Sequence, residues 1–139
     1  MAGNKLGCLS GHKSFQREVK CGESRFDFQL NFLVDSMFLE VKSVSLVENG
    51  EGKFPDAPTE RGIKHLKGLI ELREKGFRTA VIFVSQRSDA RSITTNDKID
   101  PLFGEWLRKA KRASVELYGY NCRVTKNTVS IKKEIPINI

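Results

Sequence analysis

Between Ser24 and Leu33 apolar and polar residues alternate. Phe26, Phe28, Leu30 and Phe32 fall on one face of an extended chain, and Arg25, Asp27, Gln29 and Asn31 on the other. That period predicts a strand with one face in a core. A shorter extended stretch, Phe15 to Lys20, precedes it. Met37 to Val47 is extended again after a turn at Asp35 and Ser36, which predicts an antiparallel hairpin. In its second strand Phe38, Glu40 and Lys42 share one face, and Leu39 and Val41 share the other.

The pattern then changes period. Glu48 to Pro58 holds three breakers, Gly50, Gly52 and Pro55, and reads as a loop. Ile63, Leu66, Leu69, Ile70 and Arg73 recur at helical spacing up to Gly76, with Pro58 in the first turn. Asp56 or Thr59 caps this helix, and for Asp56 the cap is preferred to a place at the chemistry. Its polar side carries Arg61, Lys64, Lys67 and Lys75.

Thr79 to Val84 is a continuous β-prone run, as expected of a strand buried on both faces. A strand, a helix and such a strand imply a right-handed crossover onto a mixed sheet. The loop expected from Ser85 to Ile99 leaves the carboxyl end of that strand, where ligands commonly bind. Asp100 and Pro101 start a second helix, with Leu102, Phe103, Trp106, Leu107 and Ala110 inward and Arg108, Lys109, Lys111 and Arg112 outward. Val115 to Val124 and Thr128 to Ile135 close the chain as two strands around a turn at Lys126 and Asn127. Residues 1–14, rich in Gly and Ser, read as a lead-in to one α/β domain over 15–139.

Composition narrows the partners. The chain of 139 residues carries +7, distributed as −1 over residues 1–56 and +8 over 57–139. A positive surface of this kind concentrates polyanions, so nucleic acid is the expected partner class. No stretch of roughly 18 apolar residues and no signal peptide is present, which points to a soluble, cytoplasmic protein with no membrane partner. Three scattered cysteines, Cys8, Cys21 and Cys122, form neither a disulfide framework nor a zinc cluster and read as small hydrophobes.

The chemistry lies in Asp27, Glu40 and Lys42. Facing residues across an antiparallel pair lie about 5 Å apart, so neighbouring strands bring Asp27 and Glu40 together. Glu40 and Lys42, two apart on one strand, point the same way. Two converging carboxylates repel, and a hard cation such as Mg²⁺ or Mn²⁺ relieves the repulsion by taking both as oxygen ligands. The lysine beside them orients a water or steadies developing charge. A Glu-x-Lys on a strand is by itself common and more often a solvated face. An Asp thirteen positions earlier in the adjacent strand, opposite a row of phenylalanines, shifts the balance.

The segments Glu18-Val19-Lys20, Ser24-Arg25-Phe26-Asp27-Phe28, Leu39-Glu40-Val41-Lys42-Ser43-Val44 and the distinctive Phe54-Pro55-Asp56-Ala57-Pro58-Thr59-Glu60-Arg61-Gly62, followed by Lys64-His65-Leu66, resemble the sugar fermentation stimulation protein A family. The resemblance runs in order from about Ser14 to the C-terminus. It implies a three-layer, restriction-endonuclease-like α/β core of the PD-(D/E)xK type, with a mixed central sheet flanked by helices. It also implies a DNA-binding role tied to the regulation of sugar metabolism. In that pattern Asp27 matches the metal-binding aspartate, Glu40 the second acid and Lys42 the lysine. Set against that pattern, the sequence is expected to lack the family's N-terminal OB-like domain and much of the helix leading into the nuclease core.

Around this centre, Glu18, Asp56, Glu60 and Gln86 are candidates for groups bordering the metal. Glu60 reaches the metal or pairs with Lys64, and Gln86 lines the site or satisfies backbone groups. Arg61, Lys64, Arg87, Arg108, Lys109, Lys111 and Arg112 are candidate phosphate contacts, against the plainer reading of solvated helix faces. His65 has no second nitrogen or sulfur ligand nearby in sequence, which argues against zinc. The leading expectation is a DNA-binding protein with a Mg²⁺- or Mn²⁺-dependent, sequence-nonspecific phosphodiesterase site. The alternatives are a non-catalytic DNA-binding regulatory module and, more weakly, a platform for acidic protein partners.

Overall fold

The alternating segments at the start of the chain become the edge of the main sheet. β1 (Ser14–Cys21) and β2 (Ser24–Asn31) pair antiparallel, and β2 pairs antiparallel with β3 (Ser36–Val44), the hairpin the sequence predicts. This computed structural model describes residues 14–21, 24–31, 36–124 and 129–139, and side chains from Met37 to Arg123 and from Ser130 onward. The lead-in and the turn at Lys126 and Asn127 lie outside the described residues.

The extended run from Met37 to Val47 is two strands rather than one. It breaks at Ser45, and β4 (Leu46–Glu48) leaves the main sheet for a small second one with β5 (Glu51–Phe54). The expected loop from Glu48 to Pro58 is thus half strand. The hinge of this hairpin is Asn49 and Gly50, both at positive φ (52° and 78°), the conformation a two-residue type I′ turn requires. Arg91 locks the turn: its backbone N–H donates to Gly50 O at 2.6 Å and its guanidinium to Asn49 O at 3.1 Å. The loop expected from Ser85 to Ile99 likewise contains a strand, β7 (Ser92–Thr95), parallel to β5.

Helix α1 (Glu60–Glu74) starts one residue after its N-cap, Thr59, whose hydroxyl accepts from the Gly62 N–H at 3.0 Å. Asp56 is not the cap. It is exposed and accepts from the Ser45 hydroxyl at 3.3 Å, because it lies three residues too early to reach the free N–H groups of the first turn. Pro58 also precedes the helix and does not occupy its first turn. Ile63, Leu66 and Leu69 face inward as the periodicity predicts; Leu72 joins them, while Ile70 and Arg73 are only half-buried. The chain then returns as β6 (Arg78–Ser85), parallel to β3, with Val81 level with Glu40 and Phe83 level with Lys42.

Helix α2 (Pro101–Arg112) has Asp100 as N-cap and Pro101 at its first position, as expected. β8 (Glu116–Val124) lies parallel to β6, and β9 (Val129–Ile135) pairs antiparallel with β8. The main sheet therefore runs β1-β2-β3-β6-β8-β9 and is mixed. Phe38, Val81 and Phe83 on one face of the sheet join Leu66 and Leu69 of α1 and Phe103 and Leu107 of α2 in the main core. Met37, Leu39, Ala80, Ile82 and Tyr120 form a second buried cluster on the other face. Cys122 is buried, and burial pushes its thiol above the ordinary range, so it behaves as the small hydrophobe expected.

Candidate functional site

Alternation along β3 sends Phe38, Glu40 and Lys42 toward the helices. Phe38 meets the core, and the two charged residues meet α1. His65, on the buried side of α1, brings its ring to them. Its Nδ1 stands 3.0 Å from Lys42 Nζ and 3.1 Å from Glu40 Oε1, and Lys42 Nζ stands 3.3 Å from the same oxygen. Three atoms from a strand and a helix thus close a triangle in which every side is within hydrogen-bonding reach. All three residues are largely withdrawn from solvent: the side chains of Glu40, His65 and Lys42 are 4%, 5% and 13% exposed.

Burial alone would push the Glu40 carboxyl up. The hydrogen bond from His65 and the positive charge of Lys42 outweigh it and hold the group below the ordinary glutamate value, so Glu40 is a carboxylate. Its two oxygens differ sharply. Oε1 is shared by Lys42 and His65, whereas Oε2 is buried and meets no hydrogen-bond partner among the described residues. A buried, ionised oxygen left bare is costly unless a cation or donor comes to it. That donor chemistry, hard and anionic, fits a divalent cation such as Mg²⁺, Mn²⁺ or Ca²⁺. Among the described side chains no cluster of three His, Cys, Asp or Glu is placed to hold a metal by itself.

The second acid expected at the site, Asp27, is on β2. The register of β2 with β3 pairs Phe28 with Leu39, and continuing it by one residue sets Asp27 level with Glu40. Glu18 falls between Arg17, paired with Phe28, and Val19, paired with Phe26, which sets it level with Asp27 in turn. Backbone register therefore puts Glu18, Asp27 and Glu40 in one row across three strands. The side chains of Glu18 and Asp27 lie outside the described residues.

The remaining candidates are spread more widely. Arg61 and Glu60 are exposed on the first turn of α1, and Arg61 precedes His65 by four residues, one turn along the same face. Lys64 is exposed on the outer face of α1. Gln86 and Arg87 follow Ser85, which is level with Val44. They begin five residues past the level of Glu40, roughly 16 Å along the strand, which makes them rim residues. Arg87 is already engaged, forming a bidentate pair with Asp89 at 2.7 and 3.0 Å. The Nδ2 of Asn121 holds that loop by donating to Ala90 O at 2.7 Å.

On α2, Lys109, Lys111 and Arg112 are exposed as expected. Arg108 is not a free outward cation: it is half-buried and donates to Asp97 at 2.8 Å and to the Thr95 hydroxyl at 3.2 Å. Strand β7, expected from the sequence to be loop, supplies that hydroxyl. Trp106, expected in the core, is half-buried at its edge with Lys67 at 4.8 Å and Lys109 at 4.4 Å from its ring centre.

Sequence reasoning missed His65. A lone histidine gives no metal signal, and only its place on the inward stripe with Leu66, Leu69 and Leu72 marked it as buried. A buried histidine must find a polar partner, and the charged residues of β3 are Glu40 and Lys42.

A mixed sheet flanked by helices, with a carboxylate and a lysine two residues apart on an inner strand, defines a restriction-endonuclease-like α/β domain. Known proteins agree. The model of the sugar fermentation stimulation protein RE domain matches residues 2–128. A sugar fermentation stimulation protein homologue of Desulforamulus reducens is 48% identical over 128 residues, covering 92% of this chain and 54% of the relative. A homologue of Clostridium perfringens is 43% identical over 134 residues, covering 96% and 58%. The solved structure of Pyrococcus furiosus SfsA in complex with Ca²⁺ superposes with a TM-score of 0.91 at 30% identity, covering 96% of this chain and 58% of that one. The chain belongs to the sugar fermentation stimulation protein family, within its RE domain. It spans little more than half the length of these relatives. Among the described residues no helix is long and apolar enough to cross a membrane.

Proposed function

We propose that this domain binds DNA without base specificity and, with a divalent cation held by Glu40 and Asp27, hydrolyses phosphodiester bonds. The observation that carries the reading is the buried Oε2 of Glu40, which meets no donor among the described residues while the other oxygen of the carboxylate is already satisfied. The Ca²⁺ complex of the Pyrococcus furiosus relative supports an oxygen-liganded cation in this fold, and Mg²⁺ or Mn²⁺ is the working ion expected for the chemistry. When bound, such a cation polarises the phosphate and lowers the pKa of a bound water.

The chain's own residues supply the rest. Glu40 stays ionised because His65 and Lys42 stabilise its charge. Lys42 keeps an amine beside the carboxylate, where it orients a water or steadies charge developing on a phosphate oxygen. Arg61, exposed at the amino end of α1 where the helix dipole also favours anions, is suited to a phosphate. Lys64, Lys109, Lys111 and Arg112 neutralise the backbone without reading bases. Through the family, the DNA-directed activity is linked to the regulation of sugar metabolism.

The test is cleavage of plasmid and linear duplex DNA with Mg²⁺ or Mn²⁺ by the wild-type chain, Glu40→Gln and Asp27→Asn. The reading expects cleavage by the wild type alone. A second reading, a DNA-binding module without chemistry, is favoured by one feature: the Lys42 and His65 contacts on Oε1 join sheet to helix whether or not a cation binds. Intact DNA binding with no cleavage under any divalent cation supports that reading instead.

A further inference from the structure

His65 supplies no ligand to the proposed cation, yet it touches both of the β3 groups that serve it. Lysine side chains ordinarily run their stems along a surface and leave the ammonium in water. That of Lys42 is only 13% exposed and ends at the His65 ring. The ring itself has little freedom. It is carried on a helix anchored by the Thr59 cap and by Leu66, Leu69 and Leu72 in the core, and it is 5% exposed.

The Nδ1 atom accepts from the Lys42 ammonium when it carries no proton and donates to Glu40 Oε1 when it does. With a proton it holds Oε1 directly, and without one it holds the Lys42 ammonium, which itself donates to Oε1. The consequence lies on the opposite side: with Lys42 and His65 both on Oε1, rotation of the carboxylate is opposed and Oε2 is the oxygen left bare.

We infer that His65 is a positioning residue: it pins the Lys42 amine against Oε1 of Glu40 and thereby fixes Oε2 as the oxygen presented to a cation. The inference rests on the cation-site reading for its second half and on apoprotein geometry alone for its first. Groups that orient a metal ligand from behind typically change affinity or activity by about 10- to 100-fold when removed.

The experiment uses the whole chain as wild type, His65→Leu, His65→Gln and His65→Asn, each confirmed folded by its thermal melt. Asn sets an amide near the position of Nδ1, Gln carries its amide past that position, and Leu removes the polar atom. Two quantities are read. The first is reductive methylation of Lys42 in the cation-free protein, followed by mass spectrometry with Lys53 as internal reference. The second is Mn²⁺ affinity by calorimetry.

The expected result is several-fold faster methylation of Lys42 in His65→Leu and His65→Gln, with Mn²⁺ affinity roughly tenfold lower, and values near wild type in His65→Asn. Lys42 methylating at the wild-type rate in both Leu and Gln variants overturns the inference, as does an Asn variant no better than Leu. If wild type takes up no Mn²⁺ while Lys42 protection still follows residue 65, the positioning role stands and the cation reading fails. If Mn²⁺ binds equally to every variant, the cation reading stands and the positioning role fails.

Discussion

The backbone N–H of Thr59 donates to Oδ2 of Asp100 at 2.9 Å, while Oδ1 of the same carboxylate accepts from Phe103 N at 3.0 Å. One buried side chain thus caps α2 and ties down the residue that caps α1, so the two helices are fixed side by side at their amino ends. The position of α1 sets the position of His65, which makes Asp100 a remote support of the site.

Replacing Asp100 by Ala removes an N-cap and leaves the Thr59 N–H without its carboxylate. Each loss costs about 1 to 2 kcal/mol. Asp100→Ala should therefore destabilise the domain by about 2 to 4 kcal/mol in urea, and Thr59→Ala, which loses only the Gly62 bond, by about 1 kcal/mol. Equal losses in the two variants contradict the double role.

Acid should act partly through Glu116. Burial raises its carboxyl, but the two hydrogen bonds from Arg78, at 3.0 and 2.8 Å, and one from the Tyr118 hydroxyl, at 2.7 Å, bring it below the ordinary value. A carboxyl depressed in the folded state stabilises above the unfolded value of about 4.3 and loses that contribution as pH falls through the folded value. The stability difference between wild type and Arg78→Met should be full at pH 6 to 7 and shrink as the pH drops below about 4. A difference independent of pH from 7 to 3 would show that Arg78 acts by packing alone.

Trp106 is the sole tryptophan and carries Lys67 and Lys109 over its ring, so it reports on the basic face of the helices. Its emission should change as duplex DNA binds and recover as salt rises. In Lys109→Glu/Lys111→Glu/Arg112→Glu the slope of log affinity against log salt should fall by about 0.9 for each phosphate no longer neutralised. A slope equal to wild type puts the DNA elsewhere.

The main-sheet elements were legible because each carries a clean period: alternation in β2 and β3, helical spacing in α1 and α2, and an unbroken apolar run in β6. The small sheet was not. β4, β5 and β7 are three or four residues long, too short for a period to show. The Asn49-Gly50 pair between Leu46-Val47-Glu48 and Glu51-Gly52-Lys53-Phe54 was the available hairpin signal, and counting glycines as breakers hid it.

At the site, Glu40 and Lys42 were readable from spacing on one strand. The closure by His65 was not, since it joins residues 23 apart through the docking of a helix. Arg87 and Arg108 looked free in sequence because their partners, Asp89 and Asp97, sit in a segment whose path only the fold defines.

The proposed chemistry requires a divalent cation at Oε2 of Glu40. Calorimetric titration of Mn²⁺ into the wild-type chain, Glu40→Gln and Asp27→Asn measures it most directly. A single site is expected in the wild type, lost in Glu40→Gln and weakened by at least about tenfold in Asp27→Asn, with all three proteins folded. Uptake of Mn²⁺ by Glu40→Gln with wild-type affinity would contradict it.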